Sequence, residues 1–94
     1  MTDDKTEAEI RRAERARVFQ EDPIFRDAWN ECDARLMELW RETAPNDSEG
    51  REHIWRMLRA MAAIKAVMGG YVETGKIAAQ RLEDLELERA VHGQ

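Results

Sequence analysis

The chain has 94 residues and carries 15 lysines and arginines against 20 aspartates and glutamates, a net charge of −5. That length allows one domain with a thin core, and the acidic balance disfavours a general duplex-binding domain, which needs a basic face. Apolar residues at 43%, with only five Gly and two Pro, exclude a wholly disordered chain, and no β-branched run alternates with polar residues, so the composition points to an all-α protein.

Residues 1–6 are polar and are expected to be flexible. The stretch Met1-Thr2-Asp3-Asp4-Lys5 does not fit a Sec-type signal peptide, and no apolar run is long enough to span a bilayer. A short N-terminal helix is predicted over about 7–20. Its apolar positions, Ile10, Ala13, Ala16, Val18 and Phe19, make a poor face, and its arginines alternate with Glu7, Glu9 and Glu14. Such a helix needs a neighbour to dock on.

Glu21-Asp22-Pro23 ends that helix. Proline disfavours helical geometry in the residue before it and is welcome as the first residue of a new helix, with Asp22 as its cap. The second helix is predicted over about 23–43. Phe25, Trp29, Cys32, Leu36, Leu39 and Thr43 form a heptad stripe along it, which places the Cys32 thiol in the apolar seam. Ala44-Pro45-Asn46-Asp47-Ser48 then forms a short turn, in which Asn46 with Glu49, Asp47 or Ser48 can each cap the next helix. A connection this short implies an antiparallel helical hairpin.

The third helix is predicted over about 48–90. Ile54, Met57, Met61, Ile64, Met68, Tyr71, Gly75, Ala78, Leu82 and Leu85 are spaced alternately 3 and 4 apart, the mark of a helix packing along another helix. The ladder keeps its phase across Gly69-Gly70, so the helix is expected to continue through them, the glycines permitting a close approach or a bend. Met61, Ile64, Met68, Tyr71, Gly75, Ala78, Leu82 and Leu85 are the candidate protein-interaction residues. They are to be buried by the first helix or by another copy of the chain.

The motifs of catalysis are missing. Gly70-Tyr71-Val72-Glu73-Thr74-Gly75-Lys76 matches most of a phosphate-binding loop, but Ile77 stands where the metal-binding hydroxyl belongs and no strand precedes it. His53 and His92 share no ligand spacing, and Cys32 is the only cysteine, so neither a metal centre nor a disulfide is expected. No catalytic residue, cofactor or small-molecule substrate is assigned. Arg11, Arg12 and Arg15 are the candidate nucleic-acid contacts, joined by Arg51, Arg56 and Arg59 of the third helix. Their interleaving with glutamates equally describes a solvated, charge-paired face. Trp40 and Trp55 flank the turn; either they are hairpin core that can touch across it, or an exposed one is a hot spot for a partner.

Three stretches carry a resemblance: Glu21-Asp22-Pro23-Ile24-Phe25-Arg26-Asp27-Ala28-Trp29, Ser48-Glu49-Gly50-Arg51-Glu52-His53-Ile54-Trp55 and Glu73-Thr74-Gly75-Lys76-Ile77-Ala78-Ala79. In this order they resemble small helical proteins encoded in tailed bacteriophages and prophages, over about residues 18–87. The hairpin of unequal helices is also similar to the ring-forming core of phage small terminase subunits. Those usually carry an N-terminal helix-turn-helix, a pattern not found in these 94 residues. The resemblance implies a cytoplasmic or virion setting in a bacterial host and no functional residues.

The sequence therefore leads to a single helical domain over 1–94: an antiparallel hairpin with a long C-terminal helix, a short N-terminal helix and coiled-coil-like packing. The expected role is a non-enzymatic phage assembly factor, such as a packaging component, that forms a homo-oligomer and docks on a larger phage or host protein, with the acidic turns 83–88 as the candidate docking segment. Nucleic-acid binding is expected to be weak or absent, and membrane association absent. The alternative is a phage-encoded inhibitor or adaptor of a host protein.

Overall fold

The computed structural model describes residues 2–93, with side chains from Asp4 onward. It contains three helices: α1 (Thr2–Glu21), α2 (Pro23–Glu42) and α3 (Ser48–His92). The frayed start expected at residues 1–6 lies partly outside the described residues. From Thr2 onward α1 is helical, and at 20 residues it is as long as α2 rather than shorter.

Local chemistry sets each boundary. Asp22 is extended (φ −65°, ψ 123°), as the following proline requires. Its carboxylate accepts from the Phe25 amide at 2.9 Å, and Pro23 opens α2. Thr43 closes α2, its hydroxyl donating to the Leu39 carbonyl at 2.6 Å. Of the three candidate caps for α3, Asp47 is the one used: its carboxylate accepts from the Gly50 amide at 3.0 Å. A Cβ on Gly50 would lie 2.5 Å from Asp47 Oδ2, so the glycine leaves room for the capping carboxylate.

The contacts divide into two units, one of residues up to Phe19 with residues from Met68 onward, the other Gln20–Val67. In the second unit α2 runs antiparallel to α3: Trp40 meets Arg51, and Trp29, earlier on α2, meets Lys65, later on α3. Ile54 of α3 is buried (7% exposed), whereas α2 has no buried residue. Cys32 is exposed, which corrects its expected place in the seam. A pair of helices covers only one side of each, so an edge position of the stripe stays in water.

In the first unit α1 lies antiparallel to the later part of α3. Contact centres on small residues. Ala16, Gly75 and Ala78 are buried, and a Cβ built on Gly75 would overlap the Ala13 methyl and come within 3.3 Å of the Glu9 carbonyl oxygen. Gly75 is therefore the close approach. Gly69 and Gly70, expected to permit one, have nothing within 4 Å of an added Cβ, and α3 continues through them.

Candidate protein-interaction surface

The hairpin turn is held by one arginine. Arg51 donates to the Thr43 carbonyl at 3.3 Å and to the Ala44 carbonyl at 3.4 Å, and its guanidinium lies 4.8 Å over the Trp40 ring. It bonds the carbonyl of the α2 cap residue and, beside the Asp47 amide that donates to it at 2.9 Å, the Ala44 carbonyl, while covering an aromatic face. Arg51 is thus an internal clamp and not part of a basic patch. Arg56 pairs with Glu52 at 2.8 Å, and Arg59 sits 5.0 Å over the ring of Trp55, which is exposed, as in the reading of an exposed tryptophan, whereas Trp40 is half-buried.

Within Gln20–Val67 the apolar surface is open on both helices. Ile24, Met37 and Leu39 are exposed on α2, and Trp55, Ile64 and Val67 on α3. Trp55, Leu58, Ala62 and Ala66 border a shallow depression on α3. Of the candidate interaction residues here, Met61 is half-buried and Ile64 is 52% exposed.

In the other unit the candidate residues divide. Gly75 and Ala78 are buried, and Gly75 lies against α1 at Ala13. Met68, Tyr71 and Leu82 are half-buried, and Leu85 is exposed. The Arg12 guanidinium lies 4.2 Å from the centre of the Tyr71 ring, so one of the three candidate nucleic-acid arginines is engaged in the α1–α3 contact. Arg11 is 4.0 Å from Glu7. Arg11, Arg12 and Arg15 border an open groove of about 520 Å³ whose floor is Ala8, Ala16, Met68 and Tyr71.

The acidic last turns of α3, 83–88, carry large apolar side chains as well. Leu87 and Val91 are 67% and 66% exposed, one turn apart, with the acids Asp84 and Glu88 beside them. Positions 84, 87, 88 and 91 share a helix face.

The segment resembling a phosphate-binding loop, Gly70–Lys76, lies inside α3, and Lys76 pairs with Glu73 at 3.2 Å. Its amide groups serve the helix and form no cradle. Among the described residues no group of three or more His, Cys, Asp or Glu is placed to hold a metal ion, and no helix is long and apolar enough to cross a membrane.

Comparison with protein-family models, with curated proteins and with solved structures finds no match to the chain.

Proposed function

We propose that the protein is a non-enzymatic assembly factor that self-associates and docks on a larger protein. One observation carries this: in each unit helices touch along a single seam and leave large apolar side chains in water. Among the described residues, the buried hydrophobic side chains are Ala16, Ile54 and Ala78, while Ile24, Leu39, Ile64, Ile77, Leu87 and Val91 are exposed. Burying Ile54 contributes about 1.5–3 kcal/mol, and two alanine methyls add little. A small chain with so few buried side chains gains stability by association. Exposed apolar residues gathered on helix faces, rather than scattered singly, mark interaction surfaces.

The phage setting, in the cytoplasm of a bacterial host or in the virion, rests on the resemblance of segments 21–29, 48–55 and 73–79. A packaging role akin to that of small terminase subunits rests on the hairpin of α2 with the longer α3. The second reading, an inhibitor or adaptor bound to a host protein, is favoured by the exposed acidic end of α3, since an acidic helical surface can occupy a nucleic-acid-binding groove. The gene neighbourhood separates the two readings: packaging and capsid genes beside this one would favour assembly, and early genes would favour inhibition. Light scattering of the full chain at micromolar concentration tests the core of the proposal. A mass that is a multiple of 11.0 kDa is expected, and 11.0 kDa throughout the range would refute it.

A further inference from the structure

The groove bordered by Arg11, Arg12 and Arg15 combines two chemistries. Its floor is apolar, built from Ala8, Ala16, Met68 and Tyr71, and its rim carries three guanidinium groups. A phosphate backbone needs the charges but has no use for the floor. An occupant that uses both is an amphipathic helix with apolar side chains flanked by carboxylates.

The chain itself contains such a helix. Asp84, Leu87, Glu88 and Val91 fall at i, i+3, i+4 and i+7 of α3 and so lie along one face. Leu87 and Val91 are exposed, and Glu88 is exposed beside them. Asp84 accepts only a hydrogen bond from Gln80, at 3.0 Å, among the described contacts. This face cannot reach the groove of its own chain. Tyr71, in the groove floor, and Leu87 stand about 24 Å apart along one continuous helix at 1.5 Å per residue.

We propose that the groove receives the acidic end of α3 from a second copy, with Leu87 and Val91 against the floor and Asp84 and Glu88 against Arg11 and Arg15. This inference rests on the self-association proposed above and names the surfaces that carry it. Each copy offers both a groove and an acidic end, so two copies pair reciprocally and the assembly can close by a two-fold axis.

The test is a charge exchange in the full chain. One variant carries Arg11→Glu with Arg15→Glu, and the other Asp84→Lys with Glu88→Lys. Arg12 is left in place because it holds Tyr71. All four positions are exposed, and circular dichroism reports whether helicity is kept. By sedimentation velocity each variant alone should associate about tenfold or more weakly than the wild type, since like charges then face each other. An equimolar mixture should recover the wild-type mass, because each groove then meets an end of opposite charge. If the wild type associates and neither variant weakens it, or the mixture does not recover, the proposed pairing is wrong while self-association stands. If the wild type is monomeric throughout, self-association itself has failed. If the arginine variant keeps wild-type association but loses binding to a short oligonucleotide, the groove serves nucleic acid and the proposal is overturned.

Discussion

Gly75→Ala, set beside Gly70→Ala, tests the contact between α1 and α3. Both changes lie inside one helix, and both replace a poor helix former by the best one, a gain of about 0.5–1 kcal/mol. At Gly70 the new methyl meets nothing within 4 Å, so Gly70→Ala should stabilise the protein by about that amount. At Gly75 the same methyl overlaps the Ala13 methyl and lies 3.5 Å from the Ala13 Cα. Ala13 has no rotamer to change. α1 has to back away as a body and draw Ala16 out of its buried place. Overpacking of this kind costs about 1–3 kcal/mol, which outweighs the propensity gain. The expected result is a net loss of up to about 2 kcal/mol, and a gap of about 1–3 kcal/mol between the two variants. Ala13→Gly in the Gly75→Ala background moves the methyl from one helix to the other, and should restore about 1 kcal/mol or more as a coupling energy. Urea unfolding followed by circular dichroism, at one fixed protein concentration, measures these variants, the wild type and the Ala13→Gly single change that the coupling energy requires. Gly75→Ala stabilising as much as Gly70→Ala would show that α1 does not approach α3 at this point.

Arg51→Met keeps the length of the side chain but loses the two carbonyl bonds and the stacking on Trp40. It should cost about 1–2 kcal/mol in urea unfolding, and an unchanged midpoint would remove Arg51 from the turn. Ile54→Ala should cost about 2–3 kcal/mol of fold stability because the side chain is buried. Ile64→Glu with Val67→Glu should leave helicity intact because both side chains are exposed, and unfolding by that pair would mean these residues belong to the core. Calorimetric titration with ATP and Mg²⁺ should show no binding at Gly70–Lys76; a micromolar signal lost in Lys76→Ala would contradict the helical account of that segment.

The elements were legible because their signals are local. Asp22-Pro23 announces a cap and a first helical residue within two positions, and the unbroken ladder from Ile54 to Leu85 carries α3 across Gly69-Gly70. The close approach was misplaced at Gly69-Gly70, which stand off the ladder; Gly75 stands on it and faces a helix. Features that depend on competition between equivalent groups were not legible. Asn46, Asp47 and Ser48 can all cap a helix, and the choice of Asp47 follows from the room that Gly50 leaves. Arg51 looks in sequence like any arginine near a glutamate, and only the turn brings it onto Trp40 and two carbonyls. Cys32 sits on a heptad stripe, but a stripe marks the direction of a helix face and not how much of it a neighbour covers. For the same reason the sequence indicates a sticky third helix without saying which candidate residues α1 already occupies.

The dependence of folding stability on protein concentration tests most directly whether the exposed apolar faces are completed by a second copy. Association that covers these faces in the folded state alone stabilises the fold by mass action, by about 2.7 kcal/mol for a hundredfold rise in concentration. Each chain of a dimer receives half of that, and with a urea slope of about 1–3 kcal/mol per molar for a small chain the unfolding midpoint should climb by about 0.5 M or more over that range. A midpoint that does not move over the same hundredfold range would contradict the account, because the faces seen open here would then be open in the working protein.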